Sequence, residues 1–426
     1  MKQYRELSKE ELLSLQQQLK NQYEDEKAKG LKLDMSRGKP GPEQLDMQRD
    51  VFNALTSDDD FKTEKGVDVR NYGILDGIPE AKELIASMVG VAPDNVIVCG
   101  NSSLNIMYDA IVRAMIFGIL GSTPWGKLDK VKFLCPAPGY DRHFAITEQF
   151  GFEMIVVPMT PNGPDMSVVK ELVKDPAVKG MWIVPKYSNP LGYSCSDETV
   201  RELASMECAA SDFRIFWDNA YAVHDLYEDR RDDVLEILAE CEKAGNPNRV
   251  YEFCSTSKIS FPGSGIAAIC SSIENIESIK KYMTVQTIGH DKINQLRHVR
   301  YFKNADGIRA HMKKHAAIIR PKFEAVLKIF DEELAGLGIG SWTDPNGGYF
   351  ISFDAMEGCA KEVVKMCKEA GVVLTGAGAT YPYKNDPKDS NIRIAPTYPS
   401  LEDLKQAAVL FTLCVKLVSV NKLLEG

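Results

Sequence analysis

The 426-residue sequence has little of what would mark it for a membrane, for nucleic acid or for an oxidising compartment. Its longest apolar run, "AIVRAMIFGILG", is too short to span a bilayer and contains Arg113. The opening stretch, "MKQYRELSKEELLSL", lacks the apolar centre of a signal peptide. Lysine and arginine number 51 against 60 acidic residues, a net charge of -9, and no basic stripe stands out. That balance argues against a nucleic-acid partner. The 10 cysteines form no C-x-x-C pair and keep no regular spacing, which argues against a disulfide framework or a metal site. Repeats and low-complexity tracts are also missing. These absences leave a reduced, cytoplasmic, globular protein as the expectation, long enough for two domains and a large core.

"SKEELLSLQQQLKNQYEDEKAKG" opens with Ser8 as a candidate N-cap and Glu11 as its capping-box partner. Leu12, Leu15, Leu19 and Tyr23 recur at helical spacing, and Gly30 is a natural stop. The strip "DMSRGKPGPEQLD" that follows is too rich in glycine and proline for a helix or a strand and reads as a shaped loop. From about residue 80, short apolar runs alternate with helical stretches: "NVIVCG", "KVKFLCPA", "FEMIVVPM", "GMWIVP", "RIFWDNAY" and "RVYEFCS". Runs of this kind, bounded by turn residues, fit strands covered by helices on both faces, hence an α/β protein with a mostly parallel sheet.

Past residue 305 the pattern changes to a long helical stretch, an alternating strand after "WTDPNGG", and a closing helix, which reads as a smaller α+β domain. The expected division is an N-terminal segment (1–55) contributing to the small domain, a large domain (56–305) and a small C-terminal domain (306–426). "HMKKH" sets His311 and His315 one helical turn apart, but the two lysines between them read as a solvated helix face. "GAG" near residue 377 is in the wrong setting for a nucleotide-binding turn.

In parallel α/β sheets, ligands bind at the carboxyl ends of the strands. Asn101, Ser102, Ser103, Tyr140, Asn189, Asp218 and Lys258 all fall at such ends. A lysine between two buried strands, as in "CSTSKISFPGSG", is costly unless it is paired or chemically used. One polar residue after a strand is a loop; five such groups suggest a site.

Four motifs carry a resemblance: "SNP" at Asn189, "DNAY" at Asp218, "STSK" at Lys258 and "IRIAP" at Arg393. In this order and separation they resemble the pyridoxal-phosphate-dependent aminotransferases of fold type I. Within these the chain is most similar to the class I aspartate aminotransferase superfamily, in the branch labelled MocR-like or subgroup Ic. The resemblance spans nearly the whole chain. It implies a large domain that binds pyridoxal 5'-phosphate, amino acid and 2-oxo acid substrates, and a homodimer with shared active sites. Lys258 would carry the cofactor covalently and then move a proton, which needs an amine with a lowered pKa. Asp218 would face the pyridine nitrogen, with His143 supporting it, while Tyr221 and Asn189 bond the phenolic oxygen and Tyr140 stacks on the ring.

The resemblance also implies a phosphate site at Asn101, Ser102 and Ser103, where a helix opens, joined by Ser255 and Ser257. Tyr72 would reach the phosphate of the neighbouring subunit, and Arg393 would clamp the substrate α-carboxylate with two parallel hydrogen bonds. For an acidic side chain, two sources of recognition stay open. Arg37, Gly38 and Lys39 in "SRGKP" resemble a loop that folds over substrate, and His290 and Lys292 in "TIGHDKINQ" would arrive from the partner subunit. One departure stands out: Ile266 occupies the place of the arginine that commonly meets the phosphate. The expected activity is transfer of an amino group from aspartate or glutamate to a 2-oxo acid. The alternatives are a β-eliminating or β-decarboxylating lyase on the same scaffold and, remotely, an aminotransferase-like transcription regulator.

Overall fold

The computed structural model describes residues 2–425. Its strands are β1 (Leu33–Asp34), β2 (Val96–Val98), β3 (Lys132–Ala137), β4 (Glu153–Thr160), β5 (Gly163–Pro164), β6 (Val178–Ile183) and β7 (Arg214–Asp218). There follow β8 (Val250–Ser255), β9 (Ala267–Cys270), β10 (Gly340–Trp342), β11 (Ile351–Ala355), β12 (Val372–Val373) and β13 (Asn391–Ile394). Eight of them form one sheet in the order β2-β9-β8-β7-β6-β3-β4-β5. Strands β8, β7, β6, β3 and β4 run parallel, whereas β9 is antiparallel to both of its neighbours, β2 and β8.

Alternation along the central strands explains the two buried faces. Phe133, Trp182, Phe216 and Phe253 point into one apolar layer. Leu134, Met181, Ile183, Ile215 and Trp217 point into the other. A strand apolar at every position is what a sheet covered on both sides requires.

The second structural unit holds an antiparallel sheet, β10-β11-β13, and the parallel pair β1-β12. Leu33 pairs with Val372, so the N-terminal segment enters this unit through the backbone itself. The helix Lys9–Ala28 begins with the anticipated capping box, in which Glu11 N–H donates to Ser8 Oγ and Ser8 N–H donates to Glu11. Gly30 follows the helix end with φ +63°, a conformation glycine adopts without strain.

Three expectations need correction. The strip after Asp34 is not all loop: Pro42–Met47 is a short helix with Gly41 at its N-cap and Pro42 at its first turn. Proline there loses no helical hydrogen bond and has the right φ. The helix Leu401–Glu425 is long and apolar enough to cross a membrane, with a mean hydropathy of 1.8 over an 18-residue stretch, although the longest run identified in the sequence lies elsewhere. In the structure 67% of that stretch is buried, and the helix packs against Lys9–Ala28 and Ala305–Leu334 as a core element. Finally, His311 and His315 are buried rather than solvated. Positions four apart share a helix face, so both rings turn inward while Lys313 and Lys314 lie outside.

Candidate active site

The carboxyl edge of the large sheet collects the strand-end residues into one cleft. Asp218, the last residue of β7, is 3% exposed. Its Oδ2 lies 2.9 Å from His143 Nε2. The His143 ring stacks on Trp182 at 4.5 Å and meets Tyr140 edge-on at 4.9 Å, which fixes its plane. Asp218 Oδ1, by contrast, is buried without a hydrogen-bond partner among the described residues. An orphaned carboxylate oxygen in a cleft is an acceptor for a donor that the chain itself does not supply.

Lys258 projects toward Tyr221, its Nζ 4.9 Å from the ring centre. Burial lowers the lysine pKa below its ordinary value, and the Asp218 carboxylate opposes that shift. An amine so placed is readily available in its neutral, nucleophilic form. Burial raises the Tyr221 hydroxyl pKa well above the usual phenol value, with the Tyr140 and Asp218 neighbours adding to it, so Tyr221 holds its proton. Burial likewise raises Tyr140.

A second group of residues forms a cradle at one end of the cleft. Ser257 Oγ and Ser255 Oγ donate to the Asn101 carbonyl at 2.8 and 3.1 Å, and the two hydroxyls lie 2.8 Å apart. Ser102 is the N-cap of the 15-residue helix Ser103–Phe117, and no side chain caps the helix. Its first N–H groups are therefore available to an anion, and the helix dipole favours one. Ile266 lies in the core and donates its backbone N–H to Thr256 Oγ1 at 2.9 Å, so no cation enters from that position.

Arg393 on β13 closes the opposite end and is 8% exposed. Its Nη1 donates to Asp141 Oδ1 at 2.9 Å and to Asn189 Oδ1 at 3.3 Å, and its Nη2 donates to Thr375 Oγ1 at 3.2 Å. The Phe350 ring centre lies 5.0 Å from the guanidinium carbon. Gly38 reaches this cluster through the same ring, because a Cβ there would sit 2.3 Å from Phe350 Cζ.

Other named residues stand apart. Arg37 is exposed, and Lys39 Nζ sits 3.8 Å from the Tyr398 ring centre. Tyr72 is 84% exposed, and Gly289 packs against the backbone of the neighbouring Gly73 and Ile74. His290 is half-buried and Lys292 is buried. Burial lowers the His290 pKa.

Sequence reasoning missed a layer behind Lys258. Tyr349 Oη donates to the Lys258 carbonyl at 3.5 Å and accepts from Gln44 Nε2 at 3.1 Å. Gln44 Nε2 also lies 2.9 Å from His315 Nδ1. His224, close beside Tyr221 and Tyr349, is buried, and neither ring nitrogen has a hydrogen-bond partner among the described residues. Burial keeps His315 and His311 neutral, with pKa values lowered to about 3 and about 4. The available signal was "NGGYF": side chains at Gly347 and Gly348 would collide with Tyr187, which is why the chain can pass so close there.

Comparison with known proteins identifies relatives of the chain as a whole. A family model described as aspartate amino-transferase covers residues 7–426. An aspartate aminotransferase from Corynebacterium glutamicum is 49% identical over 95% of this chain and 93% of its own length. A crystal structure of an aspartate transaminase from that organism superposes with a TM-score of 0.96 at 47% identity, covering 99% of both chains. A more distant fold neighbour is the α-aminoadipate aminotransferase LysN of Thermus thermophilus, solved with N-(5'-phosphopyridoxyl)-L-leucine. It superposes with a TM-score of 0.73 at 20% identity, covering 93% of this chain and 95% of its own. The chain belongs to the aspartate aminotransferase family.

Proposed function

We propose that this protein is a pyridoxal-phosphate-dependent aminotransferase that takes an amino group from aspartate or glutamate and passes it to a 2-oxo acid. The single observation that carries the reading is the cleft that joins Lys258, of lowered pKa, to an Asp218 oxygen with no partner. These residues fit the cofactor. Asp218 Oδ1 would accept from the ring nitrogen, and His143 and Trp182 hold that carboxylate in place. Tyr140 would cover the ring, and Tyr221 and Asn189 would meet its phenolic oxygen. The helix start at Ser102 and Ser103, with Asn101, Ser255 and Ser257, would hold the phosphate, and the partner's copy of the exposed Tyr72 would reach it across a dimer interface. When bound, the cofactor supplies an electron sink for charge developing at the substrate α-carbon.

The side chains supply the rest. Lys258 Nζ would anchor the cofactor covalently and, once the substrate amine has displaced it, the free amine would take the proton from the substrate α-carbon. Arg393 holds the α-carboxylate so that this proton faces the lysine, and positioning of this kind is a large part of catalysis. Asp218, 3% exposed, would favour a positive charge at the ring nitrogen from a desolvated position. Arg37 or Lys292 would meet an acidic side chain. Lys292 would act on the partner's site together with His290, whereas Lys39 is already engaged by Tyr398. We also propose the division at 55/56 and 305/306, supported by β1 pairing with β12 and by the long helix that starts at Ala305. A cytoplasmic location agrees with the free cysteines, and a homodimer agrees with the exposed Tyr72.

A coupled assay tests the reading. Purified protein given L-aspartate should form oxaloacetate only when a 2-oxo acid acceptor is present. Release of ammonia, pyruvate or carbon dioxide without an acceptor would replace transamination with a lyase.

A further inference from the structure

The substrate end of the cleft already contains an anion. Asp141 is the first residue of the helix Asp141–Gln149, directly after Tyr140, and its carboxylate makes the shorter of the two contacts to Arg393 Nη1. A guanidinium has five N–H donors. Both on Nη1 are committed, to Asp141 and to Asn189, and one on Nη2 is committed to Thr375. The remaining side-on edge runs through Nε, which is buried without a partner, so a ligand entering from solvent cannot reach it. A carboxylate that binds Arg393 through two parallel hydrogen bonds must therefore approach the Nη1–Nη2 edge, and one acceptor on Nη1 has to leave.

The two acceptors are not equally able to leave. Asn189 is 5% exposed and is held in the turn after β6. The Asp141 side chain is 35% exposed. Asp141 also sits in the first turn of a helix, where the dipole and free N–H groups favour a carboxylate even without Arg393. It can swing to solvent without stranding a charge, and Asn189 cannot.

We propose that Asp141 is a resident placeholder for the substrate carboxylate: it neutralises the buried Arg393 in the substrate-free enzyme and is exchanged for the substrate on binding. The inference rests on the reading that Arg393 holds the α-carboxylate. Asp141 thus sets the affinity of the carboxylate subsite for every amino acid and 2-oxo acid alike. It keeps the guanidinium oriented between turnovers and weakens substrate binding by the amount needed to displace it.

A positioning role would have the opposite sign, so the holoenzyme can decide. Succinate, a dicarboxylate with no amino or keto group to react, is titrated into wild type, Asp141→Asn and Arg393→Lys, followed through the cofactor absorbance. KM values for aspartate and alanine are measured alongside. Asp141→Asn keeps the helix start and one acceptor but removes the competing charge. It should bind succinate about 1.5-fold to fivefold more tightly, the range set by a partly exposed ion pair. Both KM values should fall by the same factor, cofactor affinity should not change, and the gain should persist in 0.5 M salt (about 4–5 Å screening length), because exchange at a contact is screened little. Weaker or unchanged succinate binding in Asp141→Asn, or a gain that salt abolishes, overturns the placeholder. If Arg393→Lys binds succinate and both amino acids as well as wild type does, the assignment of Arg393 itself fails, and the placeholder with it.

Discussion

Glu252 offers a prediction whose size follows from the structure. It lies in the middle of β8, 2% exposed, one strand from Asp218 at the end of β7. Its Oε1 accepts from Asn219 Nδ2 at 2.8 Å, and its Oε2 is buried without a partner. Burial raises its pKa from 4.5 to about 8, opposed by the Asn219 hydrogen bond and assisted by Glu236. The facing titratable groups are Cys254 and Cys270, with Cys270 raised well above the usual thiol value, and neither supplies a compensating positive charge. Below pH 4.5 the carboxyl is protonated in both folded and unfolded chains. Between pH 4.5 and 8 the unfolded chain loses this proton and the folded chain keeps it, so stability falls as pH rises and levels off above about 8. At ~1.4 kcal/mol per pH unit, the loss across that window is about 5 kcal/mol.

Glu252→Gln removes the window. The amide keeps the acceptor for Asn219 but leaves two N–H hydrogens unpaired where the protonated acid leaves one O–H, so near pH 5 the variant should be no more stable than wild type. The difference should then widen in favour of the glutamine variant through pH 7 and reach several kcal/mol by pH 8.5. Thermal unfolding of the holoenzyme at a series of pH values, with the midpoints of the two proteins subtracted, isolates this group from every other titration. An advantage that stays constant with pH, or a variant less stable at pH 8.5 than wild type, would refute the argument that Glu252 is held protonated.

Borohydride reduction of the holoenzyme followed by peptide mapping should place the pyridoxyl label on Lys258; a label on another lysine removes the assignment. Asp218→Ala should retain weak cofactor binding but lose turnover, since removing a buried charged partner costs about 3–5 kcal/mol, and near-normal activity would show that Asp218 does not face the ring nitrogen. Gly38→Ala should raise KM, because its Cβ meets Phe350 at 2.3 Å and Phe350 covers Arg393; an unchanged KM would show that the ring moves without consequence. Arg37→Ala should raise KM for an acidic donor more than for alanine, and equal effects on both would show that Arg37 does not read the side chain.

The sequence was most legible where one segment decides its own structure. The capping box at Ser8 and the apolar runs that became β3, β6, β7 and β8 follow from local pattern. Residues at strand ends could be collected into one cleft because a parallel sheet gathers its carboxyl ends on one edge. The second layer was not legible, since each member depends on a partner hundreds of residues away. Gln44 meets His315 across 271 positions, and Asp141 meets Arg393 across 252. His311 and His315 show the failure in one step. Lysines between them suggested a solvated face, but spacing of four places the histidines opposite those lysines, and burial falls to whichever face the neighbouring helices cover.

The same distinction bears on how the cleft handles charge. Arg393 is too buried to stand alone, and burial lowers the Lys258 pKa below its ordinary value. The arginine, which cannot lose its proton, requires a counter-ion in every state of the enzyme. The lysine can lose its proton and requires none. A site that must accept a carboxylate at one end and present a free amine at the other therefore needs an exchangeable anion beside the arginine and none beside the lysine. The Asp141 side chain, 2.9 Å from Arg393 and 35% exposed, meets the first condition. Asp218 approaches the second from a distance, because His143 takes one of its oxygens and the other is buried without a partner among the described residues. Exchanging the two arrangements, with a mobile acid at Lys258 and a fixed one at Arg393, would leave the amine protonated and the carboxylate site blocked.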